Sequence, residues 1–218
     1  MRPVLERLAQ QLAAFPPDKP GTGPAAWLEA VGGTADLADP GQRDQLRRWL
    51  NKWGCRMGYP RPGAPDLFSD GLAAWWAGFG ASLPDAPLAE LSDEAIGALA
   101  DGYADLAARP AVAVTRGGLP AGYRSIGPTA TSKALYFLRP QTVPPWDAAV
   151  AKGTVGGTSR DHFAAHLAAG RDWARDLLDA ARQAGIDDIA AHVGQPGASL
   201  ARLRDEWLLL SVPRGGPS

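Results

Sequence analysis

Residues 125–147 read Ser-Ile-Gly-Pro-Thr-Ala-Thr-Ser-Lys-Ala-Leu-Tyr-Phe-Leu-Arg-Pro-Gln-Thr-Val-Pro-Pro-Trp-Asp, and this stretch decides the fold. Gly127-Pro128 predicts a tight turn that opens a short helix. Pro144-Pro145 fixes φ and disfavours helix at the preceding residues, so Asp147 follows a rigid corner. Because a helix N-terminus favours an anion, we expect Asp147 to begin the next helix.

This layout resembles the helix-hairpin-helix, Gly/Pro-Asp (HhH-GPD) superfamily of DNA glycosylases. In that family a hairpin of the form Leu-Pro-Gly-Val-Gly grips the DNA backbone, and a catalytic aspartate follows a proline-containing loop. Here the hairpin would span 119–138, with Ser125 replacing its first glycine, and Asp147 lies 20 residues after Gly127. The resemblance covers about residues 116–153.

The resemblance implies that Asp147 is the catalytic residue. A fixed carboxylate can stabilise the positive charge that develops on the sugar as an N-glycosidic bond breaks, or it can activate a water. Thr129 falls where bifunctional members carry a Schiff-base lysine, so the resemblance implies a monofunctional enzyme that leaves an abasic site. Lys133 lies one turn later, and we expect it to be a solvated or phosphate-binding charge. The alternative for Asp147 is a helix cap alone.

The charge pattern is consistent with a DNA-binding face, although the net charge is only −1. Six basic residues and one acid occupy 116–160, and the same numbers occupy 43–61. Such islands suit a one-sided phosphate-binding surface, and two solvated helix faces are the alternative. The expected DNA contacts are Arg124, Ser125, Gly127, Thr129, Lys133 and Lys152.

Eight tryptophans are present, and a base flipped out of DNA needs an apolar, stacking pocket. Trp146 is the leading candidate because it adjoins Asp147. The other residues predicted for a base pocket are Trp53, Asn51, Arg56 and Trp75. Core packing is the alternative for the tryptophans, and a basic helix end is the alternative for Asn51 and Arg56.

The apolar spacing predicts an all-α fold, and the resemblance implies that this fold is of the HhH-GPD-like type, with two lobes around a cleft. A single domain would span 1–212, followed by a disordered tail at 213–218. Helices are expected at 3–14, 24–31, 41–53, 69–80, 93–108, 128–138, from 147, 159–183 and 199–210, the last with Leu210 facing inward. A strand-like run at 111–118 is too isolated to build a sheet.

The remaining features favour a cytoplasmic monomer with no cofactor. No apolar run is long enough for a membrane span, and Glu6 and Arg7 interrupt a signal peptide. Cys55 has no partner for a disulfide, and four cysteines for an iron–sulfur cluster are absent. His162 and His166 share a helical face without further ligands, so we expect a surface pair and no metal.

The expected partner is therefore double-stranded DNA that carries a damaged or modified base. Two other functions are compatible with the same residues. One is a DNA-binding module that keeps the hairpin without catalysis. The other is a helical enzyme that acts on a free nucleoside or another small molecule, which the modest net charge permits.

Overall fold

The computed structural model describes residues 2–13, 23–116 and 119–212, and the predicted tail at 213–218 lies outside them. The protein is 64% helix and 5% strand. The helices are α1 (Arg2–Leu12), α2 (Pro24–Ala30), α3 (Pro40–Lys52), α4 (Leu67–Phe79), α5 (Asp93–Ala108), α6 (Pro128–Leu138), α7 (Ala148–Val155), α8 (Arg160–Ala184), α9 (Ile189–His192) and α10 (Leu200–Ser211). The strands are β1 (Pro110–Arg116) and β2 (Leu119–Ser125). None of the helices in the described ranges has the length and apolarity needed to cross a bilayer.

Most helix boundaries follow local signals in the sequence. Ser92 caps α5 by accepting a hydrogen bond from Ala95 N, and Ser199 caps α10 in the same way through Arg202 N. Gly185 ends α8 with φ of 70°, a conformation that glycine adopts without strain. The predicted helices are therefore confirmed to within a few residues at each end, whereas the short α9 was not predicted.

The prediction of a fold without any sheet was wrong. Strand β1 pairs antiparallel with β2, the segment that follows it directly, to form a two-stranded ribbon. The second strand is difficult to predict from the sequence because it contains Pro120 and Gly122, and both residue types are disfavoured in strands. Gly122 has φ of 108°, and the pairing shifts register opposite this segment, between Ala113 and Thr115. Pro120 and Gly122 thus lie where the pairing of the ribbon is irregular.

The ribbon leaves and re-enters the helical body at one point. Ile126 N donates to Arg109 O at 2.8 Å, and Gly127 N donates to Ala107 O at 3.0 Å. The end of α5 and the start of α6 are therefore adjacent, with the ribbon projecting between them. The predicted hairpin 119–138 is corrected accordingly: β2 rather than a helix precedes Gly127, and only 128–138 is helical.

Buried apolar side chains form two clusters that share α8 and α10. The larger cluster includes side chains from α2 to α8 and from α10, and within it Tyr103 stacks on Phe163 with ring centroids 4.0 Å apart. The smaller cluster joins α1, the second half of α8, α9 and Leu203 of α10. Leu210 is 42% exposed, so its predicted inward position was wrong.

Replacing Phe163 with alanine should destabilise the fold by about 3–5 kcal/mol, because a fully buried ring leaves a cavity next to Tyr103. Leu178→Ala on the same helix is the matched control, since Leu178 is 37% exposed, and its cost should be about 1 kcal/mol or less. Urea unfolding of both variants measures the difference. Equal losses would contradict the placement of Phe163 at the centre of the core.

Candidate active site

Asp147 stands at the start of α7, as predicted. Its Oδ1 accepts a hydrogen bond from Val150 N at 2.8 Å, which caps the helix. The cap occupies one of the two carboxylate oxygens. The other oxygen remains available to a ligand in the pocket that Asp147 lines.

The Pro144-Pro145 corner before Asp147 is fixed from two sides. His166 Nε2 donates to Pro144 O at 3.1 Å, and the imidazole lies 4.8 Å from the Trp146 ring. Trp146 N donates to Ser132 Oγ at 2.9 Å, which ties the corner to α6. These contacts hold the backbone on both sides of the prolines and so set the position of Asp147.

His166 is buried, so its prediction as part of a surface pair with His162 was wrong. Burial lowers the pKa of His166 to about 4, and its bond to Pro144 O opposes this shift only in part. The imidazole is therefore neutral at neutral pH, with its hydrogen on Nε2. His162 instead completes a capping box with Ser159 at the start of α8.

Asp147 borders a pocket of about 270 Å³, close to the lower end of the volumes that hold small ligands, about 300 Å³. Segments far apart in the chain meet here. The lining residues are Trp53, Lys133, Pro145, Trp146, Asp147, Arg202, Asp205 and Leu209. The pocket thus combines an indole surface with two cations and two carboxyl groups.

Lys133 lines this pocket, so it is not the solvated surface charge that was one of its two predicted roles, and the other role, phosphate binding, stays a prediction. Its side chain is half-buried, and Nζ donates to Trp53 O at 2.6 Å. Nζ also stands 5.8 Å from the centre of the Trp53 ring, and the guanidinium of Arg202 stands 5.6 Å from the same ring. Two cations therefore flank the indole of Trp53.

Helix α10 contributes charged residues that the sequence analysis missed. Arg202 pairs with Asp205 at 2.8 Å and with Glu206 at 2.9 Å, and all three are buried. Burial raises the pKa of Asp205 to about 7, with further raising by Glu206 and Asp147, while Arg202 and Lys133 oppose the shift. The i, i+3 and i+4 spacing of these residues is the signal that could have predicted the cluster.

The structure brings two of the five predicted base-pocket residues to this pocket. Trp53 and Trp146 line it, although Trp146 is only 1% exposed and packs against Tyr103 and Phe163. Trp75 is elsewhere: it is fully buried in the core and donates from Nε1 to Gly102 O at 2.7 Å. The base-pocket prediction for Trp75 is therefore wrong.

Asn51 and Arg56 also lie outside the pocket. Asn51 holds the loop after α3, because its amide group bonds both N and O of Met57. Arg56 is exposed with φ of 53°, which is unusual for a residue other than glycine. It lines a neighbouring groove of about 370 Å³ between residues 54–57 and residues 126–130.

The predicted DNA contacts fall into four places, and the first is the pocket, which Lys133 lines. Gly127 and Thr129 line the groove, and Gly127 has φ of 82° at the N-cap of α6. Arg124 is exposed on β2 beside half-buried Ser125, and its Nη2 lies 3.3 Å from Arg56 O. Lys152 is exposed in the last turn of α7. The groove adjoins the pocket, because Trp53 lines the pocket and Gly54 lines the groove.

Part of each basic island serves the fold instead of a DNA-binding face. Arg47 is buried against Asp66, and Arg139 donates to Leu138 O and Gly80 O. Arg160 pairs with Asp101 and Asp161. The basic residues that line the pocket, line the groove or project from the ribbon are Lys133, Arg202, Arg56 and Arg124.

Among the described residues, no three histidine, cysteine, aspartate or glutamate side chains converge closely enough to hold a metal ion. The groups that the pocket offers for chemistry are its charged side chains and the indole of Trp53. Carboxyl groups can move protons or stabilise a cation, and Lys133 and Arg202 can bind an anion.

The fold should lose stability through His166 as the pH falls. The folded-state pKa is near 4 and the ordinary value is 6.5, so this contribution is present above pH 6.5 and disappears as the pH falls to 4. It amounts to about 3 kcal/mol. We expect His166→Gln to lack this pH-dependent component and exposed His192→Gln to keep it.

Urea unfolding at pH 7.5 and pH 4.5 measures the effect. Each variant is compared with the wild type, because the contribution of Asp205 to stability rises as the pH falls over the same range and partly masks the loss from His166. An unchanged pH dependence in His166→Gln would contradict the neutral, buried imidazole.

A scan against models of protein families found no match, and searches of curated proteins and of solved structures found none either. We therefore infer the function from the geometry of the pocket. The relevant observations are the fixed position of Asp147, the cations beside Trp53 and the groove that adjoins them.

Proposed function

We propose that this protein is a DNA glycosylase that hydrolyses the N-glycosidic bond of a damaged or modified base and leaves an abasic site. The observation that carries the proposal is the position of Asp147. A helix cap and a braced proline corner fix its carboxylate in a pocket that also contains Trp53 and Lys133.

A carboxylate and an indole both have a use in the chemistry of base removal. As the bond between C1′ and the base breaks, the sugar gains positive charge, and a fixed carboxylate stabilises that charge or activates the attacking water. The indole of Trp53 provides a flat surface for a flipped base, and the pocket volume of about 270 Å³ suits one base with little else.

Contact with DNA is supported by the surface beside the pocket. The groove between residues 54–57 and 126–130 ends at the ribbon, where Arg124 and Tyr123 are exposed. Gly127 has no side chain to cap α6, so the first N–H groups of α6 are available to a phosphate. A strand laid along this groove would place one nucleotide at the pocket.

Lys133 is proposed to act as a cation and not as a nucleophile. Its Nζ is held by the hydrogen bond that it donates to Trp53 O. Thr129 at the start of α6 cannot form an imine. We therefore propose that the enzyme releases the base without cutting the strand.

The resemblance to HhH-GPD glycosylases is compatible with this arrangement. The ends of α5 and α6 meet at Gly127, as the two helices of a hairpin would, with the ribbon inserted between them. The two apolar clusters are the physical basis for proposing two lobes, and α8 and α10 contribute to both clusters.

Asp147→Asn should lower base release by about 10²–10³-fold or more and leave DNA binding intact, because asparagine keeps the cap but loses the charge. The measurement uses duplex oligonucleotides that carry alkylated, oxidised, deaminated or glucosylated bases, with alkali added to cut at abasic sites. Asp188→Asn is the matched control, since Asp188 caps α9 through the same type of bond, to Ala191 N at 2.9 Å.

Full activity in Asp147→Asn would exclude the catalytic role. Strand cleavage before alkali would contradict the proposed mechanism and assign a nucleophilic role to Lys133. Salt-sensitive DNA binding with no base release from any oligonucleotide would favour the DNA-binding module. Turnover of free nucleosides that ignores salt would favour the small-molecule enzyme.

Arg124→Ala should weaken duplex binding and reduce the slope of log K against log salt by about one, as loss of one phosphate contact does. Fluorescence anisotropy of a labelled duplex between 50 and 200 mM NaCl, about the range over which phosphate contacts respond, measures both quantities. Arg182→Ala is the control, because Arg182 is an exposed arginine of α8 that does not line the groove. Equal slopes for the two variants would remove the ribbon from the DNA-binding surface.

A further inference from the structure

The buried charges of α10 are divided between two cavities. Arg202 and Asp205 line the pocket with Asp147, whereas Arg202 and Glu206 line a second cavity of about 570 Å³ on the other side. The cluster therefore separates the candidate active site from a second opening. Only Asp205 of its two carboxyl groups borders the pocket.

One guanidinium serves two carboxyl groups in this cluster. Arg202 lies 2.8 Å from Asp205 and 2.9 Å from Glu206, and those two residues are 6% and 2% exposed. Ionising both acids would place two negative charges close together and shielded from water, which is costly. The geometry favours a state in which the cluster keeps one proton.

The charged groups around Asp205 come from three places in the chain. Arg202 and Glu206 lie on its own helix, Lys133 faces it from α6, and Asp147 faces it from the start of α7. Burial is the largest influence and raises the pKa of Asp205 to about 7, so this carboxyl group is partly protonated at neutral pH. A carboxyl group in this state can donate a proton, whereas an ionised one cannot.

Resting on the function proposed above, we propose that Asp205 is the general acid of the reaction, which protonates the departing base while Asp147 acts on the sugar and water. Two carboxyl groups in one pocket can divide these roles when one of them is shielded from water, as Asp205 is. Both carboxyl groups line the same pocket as the indole of Trp53.

The proposed reaction is a hydrolysis. The bond between C1′ and the base nitrogen breaks, and its electron pair goes to the base. The proton of Asp205 moves to a ring nitrogen of the base. A water oxygen bonds to C1′, and the proton that this water loses passes to the Asp147 carboxylate. Asp205 is then ionised and Asp147 protonated, and exchange with solvent restores both.

The test compares two duplexes that differ in one base. 7-Methylguanine is positively charged and leaves without protonation, whereas hypoxanthine is neutral and leaves much faster when protonated. For the wild type, we expect hypoxanthine release to fall as the pH rises through about 7, and 7-methylguanine release to stay level over this range. Asp205→Asn should lower hypoxanthine release by about 10²–10⁴-fold and change 7-methylguanine release little.

Glu206→Gln separates this role from a structural one. Glu206→Gln removes a negative charge that raises the pKa of Asp205, so the pH midpoint of hypoxanthine release should shift to lower pH while the maximal rate is largely kept. A purely structural cluster would change both rates alike without moving a midpoint. Urea unfolding establishes that each variant is folded before its rates are compared.

Each result decides the assignment. Wild-type release of hypoxanthine with an unchanged rate and pH profile in Asp205→Asn overturns the role of Asp205 and leaves the glycosylase proposal standing. Equal losses for the two bases also overturn it. If the wild type releases only some other base, the same variants are tested on that base, with loss of the pH profile expected. If it releases no base at all, the proposed function fails, and the assignment fails with it.

Discussion

The hydrogen bond between the buried imidazole of His166 and the carbonyl oxygen of Pro144 is the contact on which the candidate site depends. Prolines fix φ but leave the direction of the corner to its neighbours. His166 supplies that direction from α8, and its ring also lies against Trp146. Since a charged imidazole would be costly at this depth, the site and the neutral state of His166 are linked.

The same corner connects the core to the pocket. Trp146 packs into the aromatic group of Tyr103, Phe163 and His166 on one side, and the next residue, Asp147, faces the pocket on the other. A side chain that follows a fully packed tryptophan has little freedom to move. The large aromatic core therefore positions one carboxylate, and most of the tryptophans serve that packing instead of direct contact with a ligand.

The electrostatics of the pocket come from helices that are distant in the chain. Lys133 enters from α6, Arg202 and Asp205 enter from α10, and Trp53 follows α3. Two cations and two carboxyl groups lie close together in a partly enclosed pocket, where opposite charges attract more strongly than in water. Asp147 caps a helix, whereas Asp205 is shielded from water. The fold thus places two carboxyl groups with different surroundings in one pocket of about 270 Å³.

Local signals in the sequence were sufficient to predict nearly all helices and the helix-start position of Asp147. Ser92, Ser159 and Ser199 mark helix starts by bonding to amides within one turn, so their effect can be predicted without the rest of the fold. The ribbon was not predicted because proline and glycine, here Pro120 and Gly122, are not typical of strands. Their segment becomes a strand only by pairing with β1.

The composition of the site was decided by tertiary structure. Lys133 has the sequence context of an exposed lysine, and the carbonyl group of Trp53 places it in the pocket. Asp205 and Arg202 read as an ordinary helical pair, and only the burial of α10 gives Asp205 its unusual protonation. Caps and turns depend on neighbours within a few residues, whereas burial and the shared field of charges also depend on segments that are distant in the chain. For this reason, the sequence by itself determined the helices and the corner that carries Asp147, and the tertiary structure alone decided which charges surround it.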